Sequence, residues 1–169
     1  CLPKTRLASD FMRLIEGGCD PMLVARRLVI HSAEDVGMAD PRALQIAASA
    51  MYAFEKIGYP EGLIPLSEAI VYVCEAEKSY SVKTAMLAAK DDASRVRDDA
   101  VPPYLKDNSF GSREDKAQSR NYKFPHEYGG YVEQQYLPDS LKDRVYYVPG
   151  SNGYEKTVKE IRERKGKKR

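Results

Sequence analysis

An all-α fold is predicted: a compact helical bundle with an irregular, aromatic-rich segment towards its C-terminal end. Three observations predict it. The pair Asp-Pro occurs at 20–21 and again at 40–41. It reads as a helix N-cap followed by a proline at the first helical position, where a missing N–H costs nothing. Glycines stand where helical runs should stop, at Gly17-Gly18, Gly37 and Gly58. Between these marks the apolar residues recur at helical spacing.

Residues 1–8 carry no periodicity and read as a truncated or frayed start. Ser9 can cap a short helix to Ile15, with Phe11, Leu14 and Ile15 as its apolar side. Asp20 and Pro21 open the next helix. Met22, Ala25, Val29 and Ala33 lie along one face, with Leu28 beside them. Arg26 and Arg27 fall on other faces, where solvation or pairing with Glu34 and Asp35 accounts for them. A phosphate or partner contact is the alternative.

The stretch HSAEDVGMADPRAL, His31 to Leu44, is a helix–turn–helix corner around which the chain is organised. Gly37 supplies the positive φ that stops one helix. Asp40 caps the next, ahead of Pro41. Glu34 and Asp35 suit capping and a solvated turn, with service to a ligand as the alternative.

Residues 41–57 are the central helix. Leu44, Ala47, Ala48, Met51 and Glu55 trace one stripe, and Ile46, Ala50, Ala53 and Ile57 another. Its alanines let neighbouring backbones come close. Pro65 opens a helix to about Glu75 with Leu66, Ala69, Ile70 and Val73 inward and Cys74 as a small buried residue. Ser79 or Ser81 caps a further helix. Its inward register is Val82, Ala85, Met86, Ala89, Ala93 and Val96, leaving Lys83, Lys90, Asp91 and Asp92 in water. Residues 9–100 are thus the expected helical core.

Val101-Pro102-Pro103 forbids continuation. Residues 101–154 are expected to be irregular and packed on the core, within a single domain. From Tyr122 to Tyr154 lie eight of the sixteen aromatics. Leu137 to Leu141 suggests one helical turn, and 145–148 a brief extended piece. A terminal helix from Tyr154 to about Lys165, with Tyr154, Val158 and Ile161 on one face, runs into a basic tail.

The chain has 169 residues, 43% hydrophobic and 31% charged, enough for one domain with a real core. No apolar run approaches the ~20 residues of a membrane span, and no secretory signal is visible. It begins at Cys1 rather than Met, which suggests a piece of something longer. Three widely spaced cysteines form no framework and point to a reducing, cytosolic compartment. The net charge of +2 hides an asymmetry: residues 155–169 hold eight basic and three acidic side chains, leaving the remainder at −3. Only the tail has the charge of a nucleic-acid surface.

Neither GxxxxGK[ST], GxGxxG nor GxSxG occurs. His31 and His126 lie near no nucleophile and base in sequence. A zinc site would need four close ligands. The acid pairs 34–35, 91–92 and 98–99 diverge by ~100° on a helix, so one pair rarely converges on a metal. Tyrosines interleaved with Arg120, Lys123 and Arg144 can stack single-stranded bases. Packing or a subunit interface uses tyrosine equally well and ranks first.

Several segments together resemble one family. DPMLVARRLVIHSAEDVGMADPRAL, Asp20 to Leu44, is similar to the signature of the replication-associated recombination protein A, or MgsA, family. Its eukaryotic relatives are Werner-helicase-interacting AAA+ ATPases. Gly58-Tyr59-Pro60-Glu61 with Pro65-Leu66, the Lys78-Ser79 turn, NYKFPHEYGGYVEQQYLP at 121–138 and Tyr146-Tyr147 extend the match over roughly residues 10–155. Ala33, Glu77 and Tyr80 stand where the family usually has serine, proline and asparagine.

The resemblance implies a collar-like, clamp-loader-type helical module that follows an AAA+ module and assembles a homotetramer. It implies no catalysis and no cofactor in this stretch, with ATP and magnesium held by the ATPase module. DNA and single-stranded-DNA-binding protein would be met by the full-length protein, in the bacterial cytoplasm at the nucleoid. A DNA-binding or single-strand-binding-protein-docking role for this stretch is the alternative. Motif positions Arg26, Arg27, Glu34, Asp35, Gly37, Asp40, Pro41, Lys78, Ser79, His126, Tyr128, Gln134, Gln135 and Tyr136 are expected to serve structure or subunit contact. Lys123, Arg162, Arg164 and Lys165 are candidate DNA contacts.

Overall fold

The computed structural model describes residues 7–96, 101–105 and 122–166. The described residues form six α-helices and no strand, as the all-α reading requires. The helices are α1 (Leu7–Glu16), α2 (Pro21–His31), α3 (Arg42–Ile57), α4 (Leu63–Glu75), α5 (Ser81–Arg95) and α6 (Tyr154–Gly166). None is long and apolar enough to cross a membrane. The chain divides into two compact units, one of residues 1–87 with 147–169 and the other of residues 88–146.

In the first unit the local signals act as written. The Asp20 carboxylate accepts the Met22 N–H at 2.9 Å, and α2 follows. Its end departs from simple α geometry. Ser32, 1% exposed, donates to the Leu28 carbonyl at 2.9 Å, and Ser32–Val36 widens into a π-helical turn. A hydroxyl competing for the i−4 carbonyl disturbs the regular ladder in this way. Gly37 closes the turn with φ of +51°. Asp40 is extended, and its carboxylate accepts the Arg42 N–H at 3.2 Å, the expected cap for α3.

The core is built by α1 to α4. Phe11, Ala25, Leu28, Val36, Ala43, Ala47, Ala50, Leu63, Leu66, Ala69, Ile70 and Val73 form one buried cluster. The α4 face is the predicted one. The α3 stripes are corrected: Ala43, Ala47 and Ala50 are buried, whereas Leu44 is 41% and Ile57 56% exposed. Three alanines bring α3 close to α2 and α4, and the larger side chains are left at the edges. Cys74 is only half-buried, and burial still pushes its thiol up.

The α5 register needs a similar correction. Val82 and Met86 are exposed at 39% and 55%, and Ala93 is exposed. Asp92, expected in water, is buried.

In the second unit, 3-10 turns at Pro103–Leu105, Pro125–Tyr128 and Asp139–Leu141 punctuate irregular chain. The last is the predicted single turn, while residues 145–148 join no strand. The polar run 106–121 and the tail beyond Gly166 lie outside the described residues.

Candidate functional site

The motif positions of the first unit converge at the corner. Asp35 accepts the Ser79 N–H through its backbone carbonyl at 2.8 Å. A Cβ on Gly37 would lie 2.9 Å from the Ser79 carbonyl oxygen, so the corner and the Lys78-Ser79 turn touch backbone to backbone. Lys78 donates to the Val73 carbonyl at 2.7 Å and the Cys74 carbonyl at 3.3 Å. A lysine on the free carbonyls of α4 complements the negative end of that helix.

The segment entering α6 docks on the same turn. Asn152 donates to the Lys78 carbonyl at 2.8 Å, and the Gly153 N–H to Glu77 at 2.5 Å. Glu77 thus has a specific partner here.

At the centre lies Glu155, whose side chain is fully buried. Its carboxylate accepts from Ser79 Oγ at 2.6 Å, from Ser81 Oγ, from the Tyr147 hydroxyl at 3.0 Å and from the Gly150 N–H at 3.0 Å. Burial pushes this carboxyl up, but its donors prevail and hold it below the ordinary glutamate value. All four donors are neutral. The charge also stands at the first turn of α6 and beside Ser81, where α5 begins, and the positive end of a helix favours an anion. Burial pushes the Tyr147 hydroxyl up, and its bond to Glu155 pushes it further.

Asp40 forms a second polar knot. Its carboxylate takes Arg42 Nε at 2.9 Å and Nη2 at 3.0 Å, and the Tyr72 hydroxyl at 2.7 Å. The Arg42 guanidinium holds the Asp40 carboxyl low, and the charge of Asp40 holds the Tyr72 phenol high. An open cavity of about 590 Å³ beside it is lined by Ala39, Asp40, Pro41, Arg42, Glu77, Gly153, Tyr154 and Thr157.

The acids of the corner do not meet the arginine pair. Glu34 pairs with Lys83, whose Nζ lies 4.9 Å over the Tyr80 ring, and Lys83 holds the Glu34 carboxyl low. Asp35 bonds His31 Nδ1 at 2.8 Å. Arg26 instead approaches Asp20 at 3.7 Å, and Arg27 is exposed. Pairing of Arg26 with Glu34 or Asp35 is therefore corrected: Arg26 reaches back to Asp20 at the start of α2, and the acids have nearer partners.

In the second unit, Gln134 clips its own segment. It accepts the Lys123 N–H at 3.1 Å, donates to the Lys123 carbonyl at 2.9 Å and donates to the Tyr136 hydroxyl at 2.8 Å. Gln135 donates to the Leu137 carbonyl and to Asp139, both at 2.8 Å. His126 packs on Phe124 with ring centroids 5.0 Å apart. Phe124, Tyr128, Tyr131 and Tyr136 are about half exposed. Arg144 binds Asp92 through Nε at 2.7 Å and Nη2 at 2.9 Å, holding that carboxyl low. One of the cations interleaved with the tyrosines is therefore occupied internally. Of the tail candidates, Arg162 lies 5.0 Å from the Tyr147 ring centroid and donates to the Tyr147 carbonyl at 3.1 Å, while Arg164 and Lys165 are exposed.

Among the described residues no group of three His, Cys, Asp or Glu side chains is placed to hold a metal ion. The polar clusters are closed networks, suited to fixing geometry. Glu155, Gly150 and Gly153 escaped the sequence reading, which took Ser81 only as a helix cap and Tyr147 only as one of a tyrosine pair. The glycines flanking a first-turn glutamate were the available signal.

A family model described as MgsA AAA+ ATPase C terminal matches residues 11–165. Three similar curated proteins are each called replication-associated recombination protein A. That of Bacillus subtilis is 39% identical, covering 88% of this chain and 36% of its own length. That of Coxiella burnetii is 41% identical, covering 88% and 34%. That of Haemophilus influenzae is 38% identical, covering 91% and 35%. The chain thus spans about a third of the length of these relatives.

Proposed function

The chain belongs to the MgsA AAA+ ATPase C-terminal family, and from that premise we propose that it joins copies of a replication-associated ATPase without running the chemistry itself. The family carries a role in replication and recombination, named in the relatives. Tetramer formation is the finer part of the proposal. ATP and magnesium belong to the remainder of such proteins. DNA and single-stranded-DNA-binding protein are met through the full-length molecule, in the cytoplasm at the nucleoid.

The observation that carries this reading is the apolar surface left open on the helices. Leu23 and Ile30 on α2, and Ile64 and Val71 on α4, are each seven residues apart and on one helical face. They are between 45% and 70% exposed. A groove of about 320 Å³ runs between α3 and α4, lined by Gln45, Ile46, Ser49, Ala50, Ala53, Pro65 and Glu68. Large apolar side chains grouped at a surface mark interaction sites, and a self-complementary patch is what a symmetric oligomer requires.

Light scattering of the chain and of its Ile64→Asp and Val71→Asp variants tests the proposal. The original chain should show a multiple of the single-chain mass, and the variants should shift towards the single chain with the helical circular dichroism retained. Identical masses for all three, equal to one chain, overturn it.

A further inference from the structure

The geometry points to residues 147–166 as a strap that opens as a unit over a standing α1–α4 core, with Glu155 as its catch.

The strap is attached differently from the rest of its unit. Every residue of the apolar core cluster lies between Phe11 and Val73, and the partly buried residues packed on it end at Ala76. The strap is held instead by polar contacts. They are Ser79 and Ser81 on Glu155, Asn152 on the Lys78 carbonyl and the Gly153 N–H on Glu77, while Tyr147 and Gly150 on Glu155 and Arg162 on the Tyr147 carbonyl tie the strap to itself. On α6 itself Val158 and Ile161 are only half-buried. Opening exchanges such bonds for water at small net cost, whereas parting α3 from α4 exposes apolar surface. A segment with few buried apolar contacts therefore opens well below the free energy of global unfolding.

The opening is cooperative because one carboxylate ties two distant stretches. Ser79 and Ser81 stand at the start of α5, while Tyr147 and Gly150 follow the second unit. An anion stripped of its donors does not stay in the interior. Loss of one stretch thus releases the other. Ala39, whose carbonyl faces Gly153, and the Lys78-Ser79 turn are then uncovered.

Amide hydrogen exchange of the whole chain tests this. Protection in 154–166 should be at least tenfold below that of 47–57 and 66–75. In Glu155→Gln, protection of 147–166 and 79–84 should fall at least a further tenfold with 47–57 and 66–75 unchanged. Should that variant not fold, Ser81→Ala removes a single donor and is read the same way. Equal protection of strap and core in the unaltered chain overturns the proposal. So does a variant that loosens core and strap alike, or one that changes neither.

Discussion

A Cβ on Gly153 would lie 2.0 Å from the carbonyl oxygen of Ala39, and Gly153 holds a φ of +50°. The contact joins residues more than a hundred positions apart, backbone against backbone. With the strap docked, a Cβ there would meet backbone rather than a movable side chain, and Ala39 closes the 3-10 turn ahead of Asp40. Gly153→Ala should therefore cost about 2 kcal/mol or more, from the strained φ and the clash together. Thermal unfolding measures it. A midpoint equal to the unaltered chain would contradict the docking described.

The buried face of α4 and the revised face of α3 make a paired prediction. Leu66 is fully buried, so Leu66→Ala should cost about 2–5 kcal/mol. Leu44, which a regular stripe would bury, is 41% exposed, and Leu44→Ala should stay within about 0.5 kcal/mol. Urea unfolding of both variants reads the difference, and comparable losses would restore the original stripe.

The Asp92–Arg144 pair is lopsided: the aspartate side chain is 7% exposed and the arginine 54%. Removing the arginine strands a buried carboxylate, whereas removing the aspartate leaves a cation already in water. Arg144→Ala should lower the unfolding midpoint more than Asp92→Ala. The reverse order would place the charge burden on the arginine.

Acid should weaken the fold. Glu155, Asp40, Asp92 and Glu34 are all held below their ordinary values of 4.5 for glutamate and 3.8 for aspartate. A depressed carboxyl contributes stability that is complete above the unfolded value and is lost as pH falls through the folded one. Stability should be level from neutrality to about pH 5 and should decline below about pH 4. A stability that rises on acidification would contradict the networks. Glu155→Gln should flatten part of the decline.

What the residues declared in advance was what local chemistry decides. Asp20 with Pro21, Asp40 and Gly37 marked helix ends because a cap or a positive φ is a property of a few neighbouring residues. The inward face of α4 followed from its unbroken apolar register. The α5 register misled for a definite reason: periodicity shows which face is apolar, and not whether a neighbour covers it, so Val82 and Met86 stay open. Glu155 was illegible because a glutamate in the first turn of a polar helix ordinarily meets water. Its burial depends on Ser79 and Ser81, more than seventy positions earlier. Asp92 depends likewise on Arg144, 52 residues onward. The corner residues were legible as a group, but their partners were not.

Sedimentation velocity of the unaltered chain, from about one to about a hundred micromolar, tests the central claim most directly. A module that joins copies of an ATPase should sediment as a tetramer at the upper concentrations and dissociate on dilution if at all. A single species of one-chain mass across the whole range would contradict it.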